Sequence, residues 1–151
     1  MPAALRKPRI KELPALSQLC MRSKAYWGYD LDFMTACKDE LTLHNDDLVY
    51  PIVIAETKGV IGGAAQLVPD GDDVDLDRLY IDPPQIGRGL GRILFEWCVD
   101  TARSMQAKQL LIDSEPAAVG FYEKMGAVKI GECPSGSIPG RLLPRLAYRF
   151  R

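Results

Sequence analysis

LDRLYIDPPQIGRGLGRILFEWCVDTARSM, residues Leu76 to Met105, holds the order of elements on which the fold turns. Leu76, Leu79 and Ile81 open it as a strand, Pro83 and Pro84 break that strand, and Gly87-Arg-Gly-Leu-Gly91 leads directly into a helix. Three glycines at alternate positions let the backbone turn tightly and approach a ligand without a Cβ in the way. The first helical turn beyond them presents N–H groups with no helical partner, at the positive end of the helix dipole. Such a place seats an anion, most often a phosphate. The spacing predicts the helix itself: Leu90, Ile93, Leu94, Trp97, Cys98, Ala102 and Met105 share one face, with Arg92, Glu96, Asp100 and Arg103 on the other. The alternative for the glycines is a corner between a strand and a buried helix, so a second motif has to decide.

The chain around this stretch has 151 residues, the length of one domain spanning 1–151. Its 19 Lys and Arg against 20 Asp and Glu give a net charge of -1, which supplies no global attraction to nucleic acid or to an anionic membrane. Cys20, Cys37, Cys98 and Cys133 show no CxxC spacing and read as buried thiols in a reducing cytosol. His44, the single histidine, stands in a polar Leu-His-Asn-Asp-Asp run that reads as a solvated loop, so no multi-histidine metal site exists and no metal is expected. No charged start precedes an apolar run and no apolar segment approaches a membrane span, so a cytoplasmic protein is expected.

Upstream, a strand is expected over Ala4–Arg9 and a helix over Ile10–Ala25 with Leu13, Leu16, Leu19 and Cys20 as its stripe. Tyr26-Trp-Gly-Tyr29 bends the chain into a second helix, Leu31–Leu41, capped by Asp30. Strands over Val49–Ala55, Val60–Leu67 and Val74–Ile81 form a meander, joined by turns at Lys58-Gly59 and Asp70–Asp73. Downstream, Gln109–Asp113 is a short apolar strand, a crossover parallel to the one before the glycine loop. A helix from Pro116 to Met125 stops at Gly126, and strands over Val128–Cys133 and Leu142–Phe150 close the chain. The sum is an α+β fold: a six- or seven-stranded mixed sheet, mostly antiparallel, with a central parallel pair and about four helices on its two faces.

The second motif is Asp113-Ser-Glu-Pro-Ala-Ala-Val-Gly-Phe-Tyr-Glu-Lys-Met-Gly-Ala127, about thirty residues after the loop. With it the sequence resembles the GNAT superfamily of acyl-CoA N-acyltransferases over roughly Val49 to Phe150. Gly89 and Gly91 match the glycines of the family pattern Gln/Arg-x-x-Gly-x-Gly/Ala, and Phe121-Tyr-Glu-Lys124 with Gly126 matches the second motif. Ile86 stands where the pattern has Gln or Arg, and Glu115 or Ala117, depending on alignment, where an Asn is often found.

The resemblance implies acetyl-CoA as co-substrate, its pyrophosphate on the backbone of Ile86, Gly87, Arg88, Gly89, Leu90, Gly91 and Arg92. It implies a pantetheine arm paired with backbone groups of Leu79, Tyr80 and Ile81 in a gap between splayed strands. An amine attacks only when neutral, and a free alkylamine has a pKa of about 10.4, so a base is needed. Asp75 and Asp77, two residues apart on one strand, are the candidates. Tyr122 is the family's usual donor to the leaving thiolate. Ser23, Trp27, Tyr29 and Phe33, with Ser135, Ser137 and Arg141, are the candidate acceptor wall, aromatic toward a cation and with Arg141 toward a carboxylate. The function expected is acetyl transfer from acetyl-CoA to a primary amine, on a small molecule, by direct attack in a ternary complex. A non-catalytic acyl-CoA sensor is the alternative, and the C-terminal edge strands leave room for a homodimer. A dinucleotide-dependent dehydrogenase fits poorly, because the loop follows an antiparallel meander rather than a first parallel strand.

Overall fold

A computed structural model describes residues 3–150. Its elements in chain order are β1 (Ala4–Arg6), α1 (Leu13–Ala25), α2 (Leu31–Leu41), β2 (Ile52–Thr57), β3 (Val60–Asp70), β4 (Asp73–Ile81), α3 (Leu90–Ser104), β5 (Gln109–Asp113), α4 (Val119–Lys124), β6 (Val128–Pro134) and β7 (Leu142–Arg149). The seven strands form one sheet in the order β1-β2-β3-β4-β5-β7-β6. Every neighbouring pair is antiparallel except β4 and β5. This is the expected mixed sheet with a central parallel pair and four helices.

The turns are those the residues demand. Lys58 and Gly59 both take positive φ, +51° and +79°, which is the geometry that joins two twisted strands through two residues. Asp30 accepts from the Phe33 N–H at 2.9 Å and starts α2. Gly126, at φ +107°, ends the turn after α4. Several boundaries move for steric reasons. Pro14 lies in the first turn of α1, and Ile10–Glu12 forms a separate 3-10 turn, so the helix begins at Leu13 rather than Ile10. Pro51 likewise delays β2 to Ile52, the preceding Asn45–Val49 being a 3-10 turn. Pro116–Ala118 is also 3-10, which leaves α4 six residues long. β1 is shorter than expected, held where Arg6 bridges Glu12 and Glu56. Cys20, Cys37 and Cys98 are buried free thiols, whereas Cys133 is only partly buried. His44 is exposed, as its polar neighbours suggest.

Helices cover both faces, so the first four residues of β2 are buried on both sides: Ile52 and Ile54 pack under α1, and Val53 and Ala55 under α3. The larger core lies on the α3 side, around Phe95, which meets Phe121, Tyr122 and Tyr148 at ring distances of 6.2, 5.7 and 6.0 Å. Losing a fully buried side chain such as Leu94 costs about 2–5 kcal/mol. Gly63 lets α3 come close to the sheet. A Cβ there would lie 2.9 Å from both Leu94 Cδ1 and the Tyr80 carbonyl oxygen, shorter than any real contact. On the other face, the buried Arg78 donates to the Leu41 carbonyl and to Gln66 Oε1, both at 3.2 Å, and Gln66 donates to the Asp47 carbonyl at 2.6 Å. Satisfied in this way, the pair fixes α2 over β4; losing one partner would strand the others at about 1–3 kcal/mol.

Candidate active site

β4 has two halves. Val74, Asp75 and Leu76 pair with Leu110, Leu111 and Ile112 of β5, and among the described residues the pairing ends there. Opposite Asp77 the β3 partner is missing: Leu76 faces Leu67 and Arg78 faces Gln66, so Asp77 is the extra residue of a β-bulge. The bulge shifts which side chains face the larger core, from Val74 and Leu76 to Leu79 and Ile81. It also bends the strand, and β4 parts from β5 to leave a gap whose walls include Leu79 and Ile81 on one side and Ile112 and Asp113 on the other. A cleft of about 550 Å³ opens from this gap.

At one end of the cleft stands the glycine loop. Gly87 and Gly89 take φ +88° and +80°, and Gly89 is the N-cap of α3. The first helical bond runs from the Ile93 N–H to the Gly89 carbonyl at 3.2 Å, so the N–H groups of Leu90, Gly91 and Arg92 lie ahead of the helical ladder. Gly91 and Ile86 line the cleft. Gly91 is a different case from Gly89: its φ is ordinary, and an added Cβ would lie at normal contact distance, 3.4 Å, from the Phe121 ring. The Phe121 ring of the second motif thus stands beside the loop. Arg88 is exposed, and Arg92, 74% exposed, pairs with Glu96 at 3.1 Å. Sequence reasoning missed Arg22, whose two bonds to Asp82, 3.0 and 2.9 Å, tie α1 to the start of this loop.

Tyr122 and Asp75 also line the cleft. Burial raises the Tyr122 phenol above its ordinary range, with Cys98 adding to the rise, so the hydroxyl keeps its proton at rest. Asp75 Oδ1 is buried without a hydrogen-bond partner. Loss of water raises its pKa, and Asp70 and Asp113 push it further the same way. A carboxylate without a donor is poised to accept a proton. Asp77 also lines the cleft, although the bulge takes it off regular alternation with Asp75. Desolvation raises Asp77 too, against the pull of Arg78 at 3.8 Å, but 47% of its side chain stays in water and the effect is screened.

The far end is built by side chains. Ser23, Lys24, Tyr26 and Trp27 from the end of α1, Glu40 from α2 and Glu115 from the turn before α4 line it. Trp27 stands in the wall as expected. Tyr29 and Arg141 sit behind the wall instead: Tyr29 stacks on Phe33 with ring centres 3.8 Å apart, and Arg141 donates to the Tyr29 hydroxyl at 2.6 Å. Arg141 Nη2 also lies 3.5 Å from Glu115 Oε1, while Lys24 Nζ meets Glu115 Oε2 at 2.8 Å. Ser137 bonds to Glu40, closing the late loop over α2. Among the described residues, no group of three or more His, Cys, Asp and Glu is placed to hold a metal ion, and no helix is long and apolar enough to cross a membrane.

The sequence profile described as the Acetyltransferase (GNAT) family matches residues 13–127. Among solved structures, the chain is similar to a GCN5-related N-acetyltransferase, also described as an aminotransferase of class II, from Rhodopseudomonas palustris. The TM-score is 0.83 at 23% identity, over 99% of this chain and 97% of that one. The PaiA N-acetyltransferase of Thermoplasma acidophilum, solved with coenzyme A, gives 0.78 at 16% identity over 99% and 100%. YncA of Salmonella typhimurium, solved with its cofactor acetyl-CoA, gives 0.71 at 21% over 99% and 94%. No curated protein matches the sequence significantly.

Proposed function

The chain belongs to the acetyltransferase (GNAT) family, and from that premise we propose that it moves an acetyl group from acetyl-CoA to a primary amine of a small molecule, by direct attack in a ternary complex. One observation carries the reading. A strand edge freed by a bulge, a helix N-terminus behind two positive-φ glycines, a protonated tyrosine and an unpartnered carboxylate all open onto one cleft.

The co-substrate supplies an activated thioester. The N–H groups from Leu90 to Arg92 hold its diphosphate, and charge-assisted bonds of this kind are worth about 1.5–3 kcal/mol each. The freed β4 edge from Leu79 to Ile81 aligns the extended arm as an added strand would. Asp75 takes the proton from the incoming ammonium, directly or through a water, and its raised pKa brings it closer to that of the amine. An N–H of β4 at Tyr80 or Ile81 holds the charge that develops on the carbonyl oxygen, a contribution of about 3 kcal/mol when well aimed. As the C–N bond forms and the C–S bond breaks, Tyr122 gives its proton to the departing thiolate and regains one through solvent as the new amide nitrogen loses its second proton. The related structures that contain coenzyme A and acetyl-CoA support the choice of co-substrate. The test is release of CoA thiol from acetyl-CoA across a panel of primary amines. Turnover that requires the amine supports the transferase; tight CoA binding with no turnover on any amine makes the protein a sensor.

A further inference from the structure

The acceptor end of the cleft contains an ion-pair knot that neither motif foretells. Lys24 at the end of α1, Glu115 before α4 and Arg141 before β7 converge with side chains only 16%, 12% and 17% exposed. Two cations thus face one carboxylate, at 2.8 and 3.5 Å. Both also lie over the stacked Tyr29 and Phe33 rings, Arg141 at 5.0 and 4.9 Å and Lys24 at 5.5 and 5.8 Å from the ring centres. Shielded from water, such charges are screened far less than surface ions. Of the side chains lining the cleft among the described residues, Lys24 is the one cation. The carboxylates there differ in what they have left to offer: Asp113 is held by Arg145 at 2.8 Å, whereas Glu40 meets only the Ser137 hydroxyl and Asp77 stands 3.8 Å from Arg78.

Resting on the acetyltransferase reading, we propose that Glu115 decides the class of acceptor. By engaging Lys24 and Arg141 it withdraws the cations that would hold a carboxylate. Beside Asp75, the proposed base, Glu40 and Asp77 remain as the charges an acceptor meets, so the cleft selects an alkyl diamine over an amino acid of the same length. Glu115 is therefore a specificity-determining residue, and it is one of the two positions, with Ala117, where the family resemblance left the role open.

Putrescine and γ-aminobutyrate test this, since they share a four-carbon chain and one attacking amine and differ in the group at the far end. The wild type favours putrescine in kcat/KM. In Glu115→Gln that ratio moves toward γ-aminobutyrate by about tenfold or more as Lys24 and Arg141 are released, while CoA affinity stays unchanged. A merely structural Glu115 would lower both acceptors in parallel and leave the ratio fixed, which overturns the proposal. Lys24→Met carries the same test with the opposite sign, because Glu115 without its ammonium strengthens the preference for putrescine; it decides the matter if Glu115→Gln does not fold. A wild type that turns over neither amine overturns this proposal, and the transferase reading falls with it only where no amine of the wider panel is turned over either. Wild-type turnover with a ratio fixed in both variants overturns this proposal alone.

Discussion

The two ends of the cleft are built on different principles. The loop end is backbone: Gly87 and Gly89 at positive φ and the first turn of α3, all within a few residues of one another. The proposed acceptor end is side chains, brought together from Lys24, Glu115 and Arg141 across 91 and 26 positions of sequence. A backbone site is indifferent to most substitutions that keep its dihedrals. A side-chain site changes with single residues, so one framework can pair a common donor with many acceptors. Tyr122 and Asp75 line the same cleft, and the proposed chemistry is the junction of the two ends.

That junction should give the largest effect. Tyr122→Phe should lower kcat by about a thousandfold, the range of a lost general acid, with CoA affinity unchanged; it keeps the ring among Phe95 and Phe121 and removes only the hydroxyl. Thiol-release kinetics measure it, and an unchanged kcat removes Tyr122 from the chemistry. Asp75→Asn should cost about a hundredfold and alter the pH profile. Because burial raises the Asp75 pKa, the group stays protonated, and unable to take a proton, to a higher pH than an ordinary aspartate. Activity in the wild type should therefore fall on the acid side with an inflection higher than that of an ordinary aspartate. That limb should vanish in Asp75→Asn; its persistence assigns the base elsewhere. The smallest effect belongs to the loop: Ile86→Gln supplies the polar side chain of the family pattern and should tighten CoA by about threefold, one modest hydrogen bond. A larger gain would mean that side chains matter at this end as well.

The same contrast explains what the sequence could tell. The glycine loop and the Phe-Tyr-Glu-Lys helix are local patterns, and the dihedrals they demand appear where the residues stand; the α3 stripe was legible in part, since Phe95 and Val99 join Leu90, Leu94, Cys98 and Ala102 in the core while Ile93, Trp97 and Met105 stay half-buried at its edge. The bulge at Asp77 was not legible, because a bulge is a property of the register between two strands rather than of either one. Nor was the Arg78–Gln66 pair: a charged residue inside a strand gives no sign that it will be buried against the end of α2. Arg141 read as a free cation for a substrate carboxylate, and only the fold brings Glu115 to it. Trp27 needed no such partner, since the end of α1 places it in the wall directly.

The loop is the part every other inference leans on, and a pair of ligands isolates it. Calorimetric titration of CoA and of pantetheine, which has the same arm without the diphosphate, should be run on the wild type and on Gly89→Val. No atom crowds a Cβ at Gly89, so the substitution acts through φ +80°, a conformation β-branched residues avoid. The account predicts that CoA binds the wild type at least about a hundredfold tighter than pantetheine, equivalent to two charge-assisted hydrogen bonds, and that Gly89→Val erases most of that gap. Equal binding of the two ligands by the wild type, or a gap untouched in Gly89→Val, would contradict it.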